Sequence, residues 1–181
     1  MSSEAAPNPF DLLRELDRRG RLHRPDLPED DELAESWFGI GFRLGGRRYV
    51  VAMGEVAEIL TCPPTCRVPN ARPWVRGVAN VRGNLLPVLD LSGYLDRGEI
   101  NLTRLTRVLV IPLQDVMTGL LVDEVLGMRH FAVDSWRDVR ADPADAAAPY
   151  LVGAWRGEDG DWPQFSMTRL AAHPAFLKAA G

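Results

Sequence analysis

Residues 74–91, which read WVRGVANVRGNLLPVLDL, constrain the fold of this chain more than any other stretch. Two apolar runs flank a turn at residues 82–84, where Gly83 and Asn84 tolerate the positive φ angles of tight hairpin turns. The segment therefore predicts a β-hairpin with Gly83 as a structural turn residue and Arg82 at the tip. An apolar hairpin that displays a guanidinium suits a docking surface better than a catalyst, so we expect a binding module and not an enzyme.

Asp90 ends the second run of this hairpin and precedes residues 92–95, which suit a short helical turn. An aspartate in this position predicts an N-cap whose carboxylate accepts a backbone N–H, worth about 1 kcal/mol. This structural role is preferred to a catalytic one because the sequence offers Asp90 no catalytic partner.

Short apolar runs separated by Gly- and Pro-containing turns continue along most of the chain. They predict strands over 37–44, 47–52, 75–81, 85–91, 107–111, 117–123, 125–133, 150–156 and 162–165, followed by a short helix capped by Ser166. Residues 53–60 fit either a helical segment or a helical turn that leads into a strand. Many short strands with frequent turns indicate a mainly β fold of barrels or a sandwich, and not a doubly wound sheet.

The first 35 residues have a different pattern. Residues 8–20 predict one short helix with capping residues at both ends, and residues 24–32 are polar and interrupted by proline, as linkers are. We therefore expect an N-terminal extension over residues 1–35 and a β domain over residues 36–181.

Composition excludes several classes of function. The formal net charge of -4 disfavours nucleic acid as the main partner, because phosphate binding needs a basic surface. No run approaches the ~20 apolar residues of a membrane-spanning helix, so no direct membrane insertion is expected. The N-terminus lacks the basic and apolar parts of a secretory signal, which favours the cytoplasm.

Candidate catalytic and metal-binding residues are few. Cys62 and Cys66 could form a redox pair or half of a zinc site, but no histidine and no second cysteine pair accompany them. The three histidines, His23, His130 and His173, are scattered and lack the partners that a catalytic site needs. We expect no catalytic residue, no metal and no cofactor.

Arg82 allows two interpretations. It is either a solvated turn residue, as most charged side chains are, or an interface anchor, a role in which arginine is favoured. Glu58 follows Val56 on a segment with an apolar face and could offer Arg82 a carboxylate. The sequence alone does not show whether Glu58 and Arg82 meet.

Residues 77–91 resemble a hairpin of the CheW-like family of chemotaxis coupling proteins, Gly-x-x-Asn-Leu-Arg-Gly with a Pro-x-x-Asp-Leu ending. Residues 56–59 add support, and residues 119–125 resemble the Gly-x-x-Val-Asp-x-Val strand of the same family. The resemblance runs from about Trp37 to the C-terminal helix. Val81 is a mild departure, since leucine is usual there.

Within that family, the chain most resembles the adaptors of chemosensory systems that control type IV pili. This finer resemblance is carried by residues 37–48, 53–56 and 74–83 and by the N-terminal Pro-Phe-Asp-Leu-Leu stretch, residues 9–13. The extension before Ser36 is a larger departure from the short chemotaxis couplers, which lack it.

The resemblance implies a CheW-like fold of two small five-stranded β-barrel subdomains that share a core, with N-terminal and C-terminal helices and no active site. It implies an adaptor between a methyl-accepting chemoreceptor and the regulatory domain of a CheA-type histidine kinase, located in the cytoplasm at membrane-associated receptor arrays. Carried over by position, the receptor-binding residues are Val56, Glu58 and Arg82.

Three alternatives to a pilus adaptor differ from it either in the class of protein or in the kind of motility that is controlled. A flagellar chemotaxis coupling protein would share the same motifs. A nucleic-acid module is possible for a small barrel, but the acidic charge balance opposes it. A small hydrolase or thiol enzyme would need a catalytic constellation that the sequence lacks.

Overall fold

The computed structural model describes residues 36–114, 116–139 and 142–176, and the N-terminal helix and linker predicted from the sequence lie outside these ranges. The strands, in chain order, are β1 (Ser36–Leu44), β2 (Arg47–Ala52), β3 (Glu58–Thr61), β4 (Thr65–Cys66), β5 (Val75–Val81), β6 (Asn84–Asp90), β7 (Arg107–Leu113), β8 (Val116–Val122), β9 (Glu124–Ala132), β10 (Trp136–Arg137), β11 (Leu151–Gly157) and β12 (Gly160–Phe165). The helices are α1 (Leu91–Tyr94) and α2 (Met167–Ala172), and 3-10 turns lie at Met53–Glu55, Val133–Ser135 and Ala148–Tyr150. The predicted mainly β class is confirmed.

The strands form two sheets, and each sheet closes on itself. The first sheet has the order β10-β11-β12-β2-β1-β9 and the second has the order β3-β7-β8-β6-β5-β4. In both sheets the two end strands are consecutive in the chain, since β9 continues into β10 and β3 continues into β4. One bent segment therefore pairs with both edges of its sheet, and each sheet becomes a small barrel, as the family resemblance implies.

Each bent segment contains a feature that stops regular pairing. Between β3 and β4 stand Pro63 and Pro64, which have no backbone N–H to donate to a neighbouring strand. Between β9 and β10 the 3-10 turn Val133–Ser135 changes the chain direction. The segment can thus leave one edge of the sheet and reach the other.

Both barrels contribute to one hydrophobic core. Phe42 and Tyr49 from the first barrel lie in the same buried cluster as Leu109 and Leu120 from the second. A smaller cluster fills the first barrel and consists of Val50, Phe131, Trp155 and Trp162. The prediction that the two barrels share a core is therefore confirmed.

The sequence located most elements correctly. For residues 53–60 the sequence allowed either a helical segment or a helical turn that leads into a strand. The structure shows the second alternative, the 3-10 turn Met53–Glu55 followed by β3. Ser166 caps α2 as expected, because its side chain accepts a hydrogen bond from the N–H of Arg169. β1 begins at Ser36, and the division of the chain into an extension and a domain stays a prediction.

The short closing strands β4 and β10 each lie against a glycine. A Cβ on Gly77 would lie 2.1 Å from the carbonyl oxygen of Cys66, and Gly77 also has a positive φ of 134°. A Cβ on Gly153 would lie 2.2 Å from the ring of Trp136 and 2.8 Å from the carbonyl oxygen of Arg137. Glycine at these two positions lets the closing strands approach closely enough to pair.

Gly77→Ala and Gly153→Ala should therefore destabilise the domain, each by about 3 kcal/mol, since backbone or a ring must shift to admit the methyl group. Gly54→Ala is the matched control, because Gly54 has no positive φ and a Cβ there would meet nothing within 4 Å. The measurement is urea unfolding of the three variants and the parent. Equal midpoints for all three variants would contradict the role of glycine in closure.

Candidate docking site

The tip of the β5–β6 hairpin is a two-residue loop. Val81 pairs with Asn84, so only Arg82 and Gly83 lie between the strands. Both have positive φ angles, 53° and 86°, which is the type I′ pattern. The side-chain oxygen of Asn80 accepts a hydrogen bond of 3.0 Å from the N–H of Gly83. The expectation that Asn84 takes a positive φ angle was wrong. Asn84 pairs with Val81 in the sheet, and Arg82 takes the left-handed conformation instead.

Arg82 and Glu58 meet at this tip. Nη2 of Arg82 lies 2.8 Å from Oε1 of Glu58. Glu58 is on β3, at the far end of the sheet from the β5–β6 hairpin, so the contact exists because the barrel closes. The Arg82 side chain is 76% exposed and that of Glu58 is 36% exposed, which leaves the guanidinium accessible to a partner.

An apolar groove lies beside the ion pair. Its volume is about 240 Å³, and apolar side chains from five strands contribute to its walls. Leu85 is 74% exposed and Met117 is 42% exposed, so both present apolar surface to solvent. The lining residues are Ala57, Glu58, Leu60, Val81, Arg82, Asn84, Leu85, Leu86, Val110 and Met117. An ion pair at the rim of an apolar groove can bind a partner that presents both apolar and polar or charged side chains.

Sequence reasoning missed the exposed apolar part of this site. Leu85 is the second residue after the turn, and a position so close to the hairpin tip is a usable signal for an exposed residue. Met117 reaches the groove because β8 pairs in parallel with β6, and that register is invisible in a local pattern.

Val56 lies apart from this groove. It is half-buried and packs against the shared core, and it does not line the groove. Of the three residues that the family resemblance assigns to receptor binding, the structure brings Glu58 and Arg82 into contact and places Val56 two positions before Glu58.

Asp90, at the other end of the hairpin, is fully buried. Its Oδ1 accepts a hydrogen bond of 3.0 Å from the N–H of Gly93, which is the capping geometry that the sequence predicts for α1. Its Oδ2 accepts hydrogen bonds from the N–H of Ile100 at 2.9 Å and from Nε of Arg76 at 3.1 Å. Asp90 is therefore the centre of a network that joins β5, β6, α1 and the loop after α1.

Arg76 completes that network. It forms an ion pair of 3.1 Å with Glu99 and donates to the carbonyl oxygen of Ile100 at 2.5 Å. Arg76 is only 20% exposed, so its charge depends on Asp90 for compensation. The capping value of about 1 kcal/mol understates the role of Asp90, because breaking a buried ion pair costs about 3–5 kcal/mol.

Cys62, His130 and His173 have surroundings that suit structural roles, and His23 lies outside the described ranges. Burial raises the pKa of the Cys62 thiol, against a smaller opposing effect of the Arg76 charge, and a neutral thiol is a weak nucleophile. Nδ1 of His173 lies 3.2 Å from the Tyr94 hydroxyl, and His130 packs beside Phe38.

The part of the chain that the structure describes has neither a cluster of metal-binding side chains nor a helix long and apolar enough to span a membrane. No group of three or more His, Cys, Asp or Glu side chains is arranged to hold a metal ion. None of the helices in the same ranges has the length and apolar character to cross a membrane.

Comparison with known proteins places this geometry in a family. The sequence profile described as "CheW-like domain" matches residues 39–174. The chain is 46% identical over 173 residues to Protein PilI of Pseudomonas aeruginosa, covering 95% of this chain and 96% of that protein. It is 35% identical over 114 residues to Protein FrzA of Myxococcus xanthus, covering 62% of this chain and 69% of that protein.

A solved structure shares the fold. The crystal structure of the scaffolding protein TtCheW from Thermoanaerobacter tengcongensis superposes with a TM-score of 0.63 at 20% sequence identity. The match covers 71% of this chain and 88% of that one.

Asp90→Asn should lower the free energy of unfolding by about 3 kcal/mol, because it leaves the Arg76 guanidinium without a buried counter-charge. Glu99→Gln is the matched control, because Glu99 is the other carboxylate partner of Arg76 and its side chain is 62% exposed. This substitution should lower the free energy of unfolding by less than about 1 kcal/mol. Denaturant unfolding of both variants measures the difference. A loss at Asp90 no larger than that at Glu99 would mean that the buried network is unimportant.

Proposed function

This chain belongs to the CheW-like family, and on that premise we propose that it is a non-enzymatic adaptor that couples a methyl-accepting chemoreceptor to a CheA-type histidine kinase. Proteins of this family act as scaffolds or coupling proteins in chemosensory systems. The observation that carries the proposal is the exposed Arg82 guanidinium, held by Glu58 at the rim of the apolar groove.

The groove and the ion pair fit a helical receptor segment. Apolar side chains on one face of a helix would bury against Leu85 and Met117, which are exposed in the free protein. Arg82 would then donate its N–H groups to a polar or acidic side chain beside that face. Arginine at the edge of an apolar contact is a frequent hot spot, because water exclusion strengthens its hydrogen bonds.

The backbone of Arg82 supports a role beyond folding. Its φ of 53° is left-handed, a conformation that costs a non-glycine residue about 1–2 kcal/mol. Asparagine or glycine would occupy the first position of a type I′ turn at lower cost. Arg82 thus keeps an unfavourable backbone conformation and presents its side chain to solvent. This combination is consistent with selection for binding.

We assign the adaptor to a chemosensory system that controls type IV pilus twitching motility. The 46% identity to PilI, a CheW-like pilus chemosensory protein, covers 95% of this chain and so extends into the first 35 residues. The adaptor would then lie in the cytoplasm at membrane-associated receptor arrays. Complementation of a deletion strain separates the outputs: restored twitching supports the assignment, and restored swimming alone would favour a flagellar coupler.

Arg82→Ala should weaken binding to a receptor-tip fragment by about 2 kcal/mol, roughly 30-fold in Kd, as hot-spot arginines do. Arg82→Asn should weaken receptor binding similarly while leaving the protein as stable as the parent or more so, since asparagine suits the left-handed position. The Glu58–Arg82 pair is exposed, so its loss should cost the fold no more than about 1 kcal/mol. Calorimetric titration and thermal unfolding measure the two effects.

Arg104→Ala is the control, because Arg104 is exposed and lies outside the groove. Binding of the kinase regulatory domain should stay near the parental value in all of these variants, since we assign that contact to another face. Equal losses towards receptor and kinase, or an Arg82 variant that unfolds, would show that Arg82 is structural.

A further inference from the structure

A second recess opens in the first barrel, away from the docking groove of the second barrel. Its volume is about 630 Å³, and its walls come from β9, from the 3-10 turn Val133–Ser135 and from the hairpin of β11 and β12. Arg129, Ser135 and Trp162 are among the residues that line it. Neither the adaptor proposal nor the family resemblance gives this recess a role.

Two arginines lie against the Trp162 ring, and within the described ranges only Arg48 of the two forms an ion pair. The guanidinium carbon of Arg48 is 5.0 Å from the ring centroid and that of Arg129 is 4.7 Å from it. Arg48 donates to the carboxylate of Asp159 at 2.6 Å and to its carbonyl oxygen at 2.8 Å. The remaining carboxylate oxygen of Asp159 accepts from the Trp162 indole N–H at 2.7 Å.

Both carboxylate oxygens of Asp159 therefore already accept hydrogen bonds. Its hydrogen bond from Trp162, followed by the positive charge of Arg48, lowers the pKa of the Asp159 carboxyl, so the group stays ionised and engaged with these partners. The Arg129 charge also lowers the pKa of this carboxyl, with a smaller effect than that of Arg48, but Arg129 forms no ion pair with it.

Arg129 has a buried donor without an acceptor. Its Nε is inaccessible to solvent and has no hydrogen-bond partner, and Arg129 forms no ion pair within the described ranges. The hydroxyl oxygen of Ser135 is likewise buried and unpartnered, and it lines the same recess. Buried polar groups are almost always hydrogen-bonded, so two orphaned donors in one recess point to a missing acceptor.

The position of Arg129 is fixed before any ligand arrives. A Cβ on Gly41 would lie 3.1 Å from Cγ of Arg129 and 3.0 Å from the Trp162 ring. The absence of a side chain at Gly41 therefore gives the arginine stem room to lie along β1 and against the indole. A guanidinium held by packing loses little side-chain entropy on binding, which favours the bound state.

We propose that this recess binds an oxyanion, a carboxylate or a phosphate group, with Arg129 as the cationic anchor and Ser135 as a second donor. The planar fork of a guanidinium matches the two oxygens of such a group. Glu158, exposed on the wall of the recess, carries the opposing charge, and its carboxylate weakens the binding of an anion. Arg156, also on the wall, is 3.7 Å from Asp161 and contributes less.

The test is a titration of the full chain with sodium phosphate and, separately, with sodium acetate, in sodium chloride adjusted to constant ionic strength. Tryptophan fluorescence and melting temperature report binding, because Trp162 touches the anchor. We expect a saturable response in the parent protein. Arg129→Met keeps the apolar stem of the side chain and should weaken anion binding about tenfold or more, which corresponds to about 1.4 kcal/mol. Glu158→Gln should bind the same anion several-fold more tightly.

Arg104→Met is the control and should bind the anion as the parent does, since Arg104 lies outside the recess. Saturation by acetate alone would identify a carboxylate ligand, and saturation by phosphate alone would identify a phosphate. If Arg129→Met does not fold, Ser135→Ala replaces it and should weaken binding severalfold. A response without saturation, or one that is unchanged in the folded recess variant, overturns the proposal.

Discussion

The closure of each barrel by one bent chain segment is the constraint on which the other features depend. Because β3 and β4 belong to one segment, the two ends of the second sheet must meet. That meeting brings Glu58 on β3 to the tip of the β5–β6 hairpin and forms its ion pair with Arg82. The apolar groove lies beside this ion pair and is lined by residues of β3 and of the β5–β6 hairpin, among others.

Buried and half-buried carboxylates hold the segments around this groove. Asp90 compensates Arg76 and fixes the far end of the hairpin. Glu55, just before β3, accepts hydrogen bonds of 3.1 Å from the N–H groups of both Met167 and Thr168 at the start of α2. The 3-10 turn that precedes β3 is therefore tied to α2, and the β5–β6 hairpin ends at a residue tied to α1. Such anchoring keeps the groove rigid and reduces the entropy lost when a partner binds.

Local features were predictable from the sequence, and contacts between distant segments were not. The limits of β5 and β6, the cap by Ser166 and the cap by Asp90 follow from periodicity and residue type over a few positions. The contact of Glu55 with α2 spans more than a hundred residues and leaves no local pattern. The two-residue turn was also missed in detail, because strand pairing, and not the preference of Asn84, decides which residues take positive φ.

Two arginines in this structure oppose the preferences of their surroundings. Arg82 occupies a left-handed position that asparagine or glycine would fill at lower cost, and Arg129 keeps a buried N–H without an acceptor. Each cost is about 1–3 kcal/mol, a sizeable part of a typical domain stability of about 5–15 kcal/mol. A sequence under selection for stability alone would replace both residues. The two arginines lie at the groove and at the recess, where an acidic partner side chain or an oxyanion would accept their hydrogen bonds on binding.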